Sequence, residues 1–145
     1  TENTFGYTEA NGVRNITLNQ QKQHTYDGVT SNPKITQMNY QYDPYGNITK
    51  TSEWGDTEVS GDERFTYTDY AYNTGLWIMD KPRHTYLFGS DDASKLSEQW
   101  LYYDGHGATD DSPSKGDPTR EVAWLSGGTN PETKYEYDSF GNRIK

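Results

Sequence analysis

The chain has 145 residues, the length of one ordinary domain, with a formal net charge of -9, an isoelectric point near 4.7 and no cysteine. The acidic balance excludes a nucleic-acid surface, because affinity for phosphates comes from Lys and Arg releasing counterions, and the missing cysteines exclude disulfides, thiol nucleophiles and the common structural zinc sites. Only 30% of the residues are hydrophobic and the mean hydropathy is -1.15, yet 13 Tyr and 4 Trp supply amphipathic rings, each burying about 150–250 Å², so a folded chain is expected rather than a disordered one.

In chain order the signals are short and extended. No apolar run approaches the roughly 18 residues of a membrane span, and no leader pattern is present. Val13 to Leu18 alternates as a strand, and residues 1–34 are expected to hold N-terminal strands that belong with residues 35–145 to a single structural unit. From residue 35 to 145 the chain repeats itself. Tyr40-Gln-Tyr-Asp-Pro-Tyr-Gly-Asn-Ile-Thr-Lys50 returns as Tyr135-Glu-Tyr-Asp-Ser-Phe-Gly-Asn-Arg-Ile-Lys145, and weaker copies fall at Tyr70-Ala-Tyr-Asn-Thr-Gly75 and Tyr102-Tyr-Asp-Gly-His-Gly107. The second Tyr of each copy stands at 42, 72, 103 and 137, a degenerate period of 30 to 34 residues.

Each copy has a mechanical reading. Tyr at i and i+2 project from one face of a strand. The following Asp (Asp43, Asp104, Asp138) accepts a hydrogen bond from the backbone two residues on, and a Gly (Gly46, Gly107, Gly141) supplies positive φ, so the chain reverses. The unit is strand, tight turn, strand. Lys34 to Met38, Arg64 to Thr68, Leu76 to Met79, Arg83 to Phe88, Gln99 to Tyr103 and Glu121 to Leu125 read as further strands. Asp91 to Glu98 offers one helical turn capped by Asp91 or Asp92, and no stretch keeps a 3.6-residue period over three turns. Gly105 to Thr119 is polar and breaker-rich, and reads as a long exposed loop. The fold expected is all-β, built of antiparallel strand-turn-strand repeats.

The Tyr-Asp-x-x-Gly cores at Tyr42, Tyr103 and Tyr137 resemble the YD-repeat (Rhs-type) family. The segments Thr68 to Trp77 and Glu98 to Asp104 are similar to the repeat region of insecticidal toxin-complex B-type proteins, and the likeness covers about residues 35 to 145. What the resemblance implies is a spiral of antiparallel hairpins that winds into a hollow shell around a toxic C-terminal polypeptide, in large secreted or cell-surface bacterial proteins; animal teneurins share the architecture. The chain is read as a segment of such a shell or stalk. Its edge strands, around Val13 to Leu18 and Tyr135 to Lys145, are expected to pair with neighbouring repeats or with another copy.

Catalytic, cofactor and metal sites are not expected. The family's self-cleaving region includes an Asp-Pro-x-Gly signature, and Asp43-Pro-Tyr-Gly46 matches it, but this tetrapeptide sits in phase with the ordinary repeats and reads as a type I turn. His24, His84 and His106 are scattered and read as ordinary surface or strand histidines. Asp110, Asp111, Ser112, Ser114 and Asp117 lie in one loop and offer oxygens for calcium, without the residue order of a calcium hand; a solvated acidic loop is the plainer reading. Trp54, Trp77, Trp100 and Trp124, spaced 23, 23 and 24 residues apart, are candidate platforms for carbohydrate. The function expected is therefore a non-catalytic structural repeat module, with carbohydrate binding through exposed Trp as the alternative.

Overall fold

The computed structural model describes residues 1–10, 13–28 and 30–145. Its strands are β1 (Glu2–Ala10), β2 (Val13–Thr25), β3 (Lys34–Tyr42), β4 (Ile48–Asp56), β5 (Arg64–Asn73), β6 (Ile78–Phe88), β7 (Lys95–Tyr103), β8 (Pro118–Ala123) and β9 (Glu132–Lys134). They are antiparallel and hydrogen-bonded in sequence order within one sheet, and no helix occurs among the described residues. The all-β reading holds. No helix long and apolar enough to cross a membrane is present among them.

Three expectations about local structure change. The edge of the sheet is β1, not Val13 to Leu18: those residues lie in β2, which pairs with β1 through Phe5↔Leu18 and Tyr7↔Ile16. The segment from Asp91 forms a tight loop instead of a helical turn. Asp91 Oδ1 accepts the N–H groups of Ala93 (3.1 Å) and Ser94 (2.7 Å), which ends the turn before a second one can form, and β7 starts at Lys95. Finally, β6 begins at Ile78, leaving Leu76 and Trp77 in the preceding turn.

By contacts the chain divides into two compact units, Thr1–Tyr67 with Leu87–Lys95 and Thr68–Tyr86 with Leu96–Lys145. In the first, Phe65 is buried at 5% exposure, with the Trp54 ring edge-on to it at 5.5 Å. Burial of such a ring contributes about 1.5–3 kcal/mol. Beside them Lys50 reaches over the Phe65 and Tyr67 rings and pairs with Asp92 Oδ2 at 2.8 Å, while the Tyr67 hydroxyl donates to the same carboxylate. Burial disfavours the Lys50 charge, but the Asp92 partner outweighs it and the ammonium titrates above its ordinary 10.5.

In the second unit Ala71 and Tyr103 are buried and Pro113 is fully enclosed. The Tyr103 hydroxyl donates to the Pro82 carbonyl at 2.6 Å. Asn73 Nδ2 donates to the Pro113 carbonyl at 2.8 Å, which ties the long loop down from within.

Candidate functional site

The Tyr-Asp copies become one device repeated. At the first, the Asp43 N–H donates to the Asn47 carbonyl (3.0 Å) and the Asp43 carbonyl accepts the Gly46 N–H (3.2 Å). Asp43 Oδ1 also accepts the N–H groups of Tyr45 (2.8 Å) and Asn47 (2.9 Å), and Oδ2 accepts the Asn47 side-chain amide (2.7 Å). The last copy repeats this bond for bond: Asp138 takes the N–H groups of Phe140 and Asn142 on Oδ1, both at 2.9 Å, and the Asn142 amide on Oδ2 at 3.0 Å. Gly46 and Gly141 sit at φ 92 and φ 83, where a Cβ would crowd the backbone.

The third copy keeps the carboxylate closure with a longer loop, but here Asp104 itself and Gly105 also stand in the left-handed region, at φ 53 and φ 76, and the His106 N–H donates to the Tyr103 carbonyl. The Asp104 N–H donates to the Asp117 carbonyl at 2.8 Å, so Asp117 takes the place of Asn47. The glycine equivalent to Gly46 is Gly116, at φ 84; Gly107 stands free of the left-handed region. The eleven residues from Gly105 to Lys115 replace Pro44-Tyr45. Their closure falls to Asp104, whose carboxylate accepts the N–H groups of Ser114 (2.6 Å), Lys115 (3.0 Å), Gly116 (3.1 Å) and Asp117 (3.1 Å). Burial raises the Asp104 pKa, yet these four donors prevail and hold it below the ordinary 3.8. The signal lay in the sequence: Gly116-Asp-Pro-Thr-Arg120 parallels Gly46-Asn-Ile-Thr-Lys50.

A bulge follows each of these turns. Tyr42 pairs with Ile48 but Gln41 with Lys50, skipping Thr49, and Tyr103 pairs with Pro118 but Tyr102 with Arg120, skipping Thr119. At the end, Tyr137 bridges Arg143, while Glu136 accepts from the Ile144 N–H and donates to the Lys145 carbonyl, so Ile144 is the extra residue. The extra residue turns a basic side chain, Lys50, Arg120 or Lys145, onto the strand's other face. The turn tyrosines anchor backward: Tyr42 donates to the Leu18 carbonyl at 2.9 Å as Tyr103 does to that of Pro82.

The weakest copy departs from this pattern. Asn73 Oδ1 accepts the Leu76 N–H at 3.1 Å, but the left-handed residue is Trp77, at φ 58, and not Gly75.

The four tryptophans occupy unlike places. Trp77 is 83% exposed at its turn and Trp54 is 38% exposed on β4 against Phe65. Trp100 on β7 stacks on His84, centroids 5.3 Å apart and planes 8° from parallel, and Trp124 follows β8, its backbone N–H donating to the Glu98 carbonyl. His84 brings a cluster that sequence reading passed over: its Nε2 lies 2.7 Å from Glu98 Oε1, its Nδ1 3.6 Å from Asp69 Oδ2, and its ring against Tyr86. Only the strand pairing of β6 with β7 joins residues so distant in sequence. In the acidic loop, Asp111 Oδ2 accepts the Ala108 N–H at 3.1 Å. Among the described residues no group of three or more acidic or histidine side chains is arranged around a metal position.

Two clefts flank the turns, one of about 620 Å³ lined by Thr17, Asn19, Tyr40, Tyr42, Asp43 and Pro44, the other of about 470 Å³ lined by Asp104, Lys115, Thr119, Tyr135, Tyr137 and Ile144. Compared with family models, curated proteins and solved structures, the chain gives no significant match.

Proposed function

We propose that this chain is a non-catalytic structural repeat module of a large secreted or cell-surface bacterial protein, part of a toxin-encapsulating β-shell or stalk of the YD-repeat kind. The observation that supports this reading most is the recurrence of the Asp43 turn at Asp104 and Asp138. In all three the carboxylate, a group suited to acid–base work, is occupied by N–H donors of its own loop. A carboxylate so filled closes a turn. Repeating it at an uneven period, with the loop free to lengthen, is how a chain adds hairpins to a sheet without disturbing the pairs already made.

A second reading, carbohydrate binding, draws on the 83% exposure of Trp77 and on the stacked His84–Trp100 pair flanked by Glu98 and Asp69. Glycan-array binding with tryptophan-fluorescence quenching separates the two. The structural reading expects no saturable response to any sugar; saturable binding that disappears in Trp77→Ala or Trp100→Ala replaces it with the second.

A further inference from the structure

Among the described residues, those other than glycine in the left-handed region are Asn32, Trp77, Asp92 and Asp104. Asn and Asp tolerate that region, because their short polar side chains bond to the local backbone. Trp77 has no such excuse. It stands at φ 58 with its side chain 83% exposed, beside Leu76 at 58%. A strained backbone that gains no packing in return is the mark of a position set by function.

The residues around it form an uncharged protrusion in the middle of the chain. No residue from Tyr70 to Met79 is charged, and Thr74 to Trp77 are all exposed, at the tip of the hairpin that joins β5 to β6. Tyr70 and Tyr72 stack 6.4 Å apart on β5 at its base. The first charges that follow, Asp80 and Lys81, lie 3.4 Å apart and offset each other. The tip is also held in shape. The Leu76 N–H is taken within the turn by the Asn73 carbonyl (3.2 Å) and Oδ1 (3.1 Å), while Asn73 Nδ2 holds the Pro113 carbonyl at 2.8 Å. An N–H already bonded inside the turn loses little when water is withdrawn, which is the condition for backbone to enter a nonpolar layer.

We propose that the Leu76–Trp77 tip is a membrane-surface anchor, seated in the interfacial layer of a zwitterionic bilayer with the Trp77 ring at headgroup level. Two side chains fall far short of the roughly 800 Å² per partner that a specific protein interface buries. A bilayer interface asks for less: an amphipathic ring on a protruding tip, with tyrosines behind it, is the set that settles at the headgroup boundary. Charge selects the lipid. In an antiparallel sheet ordered as the sequence, alternate turns share one end, so the loop from Gly105 to Lys115 stands at the same end as the tip, with Asp110 and Asp111 exposed. With these carboxylates and a net charge of -9 the chain is repelled by anionic headgroups, whereas phosphatidylcholine presents a cation outermost. The anchor touches the membrane and does not span it. This proposal goes beyond the structural-module reading and does not depend on it.

The full chain is mixed with phosphatidylcholine vesicles, part of whose lipid carries bromine on the acyl chains, and flotation is read together with quenching of tryptophan fluorescence. The parent chain is expected to float with the vesicles and to be quenched. Trp77→Asn, which relieves the left-handed strain and is checked for folding by urea unfolding, is expected to lower the partition coefficient by about tenfold or more, the scale of one large side chain withheld from burial. Leu76→Ser keeps all four tryptophans and lowers both flotation and quenching severalfold. Replacing part of the phosphatidylcholine with phosphatidylglycerol weakens binding. No flotation of the parent, flotation undiminished in Trp77→Asn, or tighter binding to the anionic vesicles overturns the proposal. A parent chain that ignores vesicles but self-associates through Trp77 also overturns it, and assigns the tip to a second copy. These vesicles carry no sugar, so vesicle binding is distinct from glycan binding, and its absence removes the anchor alone and leaves the structural reading to the glycan array.

Discussion

At the scale of single residues the turns rest on an Asp acceptor and on left-handed glycines, one each at Gly46 and Gly141 and two, Gly105 and Gly116, in the Asp104 loop, and each supports an expectation. A β-branched residue at positive φ is strained by about 1–3 kcal/mol, so Gly46→Val, Gly116→Val and Gly141→Val each lower stability by that order in urea unfolding. Gly107→Val changes it by less than about 0.5 kcal/mol, as surface substitutions ordinarily do. Equal effects at 107 and 116 would show that Asp104 closes its loop in some other way. The same acceptors set a response to acid. The side-chain amide and backbone N–H of Asn142 hold Asp138 below the ordinary 3.8, and Asp91, bonded to the Ser94 hydroxyl and to loop N–H groups, is lowered to about 2. Depressed carboxylates bind more protons in the unfolded chain than in the folded one, so their contribution is complete above the unfolded pKa and is lost as pH falls through the folded value. Hydrogen exchange, corrected for intrinsic rates, is expected to show the Ser94 and Asn142 amides opening as pH falls from about 4 toward 2. Tyr103 behaves oppositely: burial and the nearby Asp80 push its phenol up to about 12, so its contribution persists below the ordinary 10.0 and disappears as pH rises through the folded value. The Tyr103→Phe chain is expected to lose less stability than the parent over that alkaline range.

At the scale of the element, the bulge and the Trp77 turn are the informative features. Side chains alternate across a strand with period two, so removing one residue exchanges its faces. Deleting Thr49 would pair Lys50 where the bulge stood and turn the ammonium away from Phe65, Tyr67 and Asp92. The deletion is expected to lower the melting temperature sharply, whereas Thr49→Ser, which keeps the count, does not. Trp77 carries the strain of a large side chain at φ 58 with its ring 83% exposed, and so returns little packing for it. Asn tolerates the left-handed region better than most residues, so Trp77→Asn is expected to raise stability by about 0.5–1 kcal/mol, and a loss would mean that the ring packs on something in solution.

For the molecule as a whole, thin burial decides the thermodynamics. Among the described residues the buried hydrophobic side chains are Phe65, Ala71 and Tyr103, while Phe5, Tyr7, Ile16, Phe140 and Ile144 are exposed. Heat capacity of unfolding follows apolar area, and an ordinary chain of 145 residues gives about 2 kcal/mol/K. Scanning calorimetry of the monomer is expected to fall clearly below that figure. A value at or above it would mean that the apolar rings are covered in solution.

What the sequence determined by itself is whatever acts over a few residues. Alternating aromatics, Asp followed by a spaced Gly, and the absence of a 3.6-residue period were sufficient for strands, for two of the turns in detail, and for the all-β class, because backbone conformation and local hydrogen bonding carry that information. The tertiary structure alone decided matters of long range. Asp104 is closed by Gly116 and Asp117 instead of Gly107, since a carboxylate chooses among all N–H groups brought to it and not only those next in sequence. Lys50 meets Asp92, and His84 meets Trp100 and Glu98, because strand pairing joins positions whose separation leaves no periodic trace. The edge at β1 was missed for a related reason. Gly6 and three flanking polar residues weaken its strand signal, and the Asn11-Gly12 dipeptide that marks a hairpin there lies outside the described residues. Whether a strand is an edge depends on what stands beside it, and that is a property of the sheet.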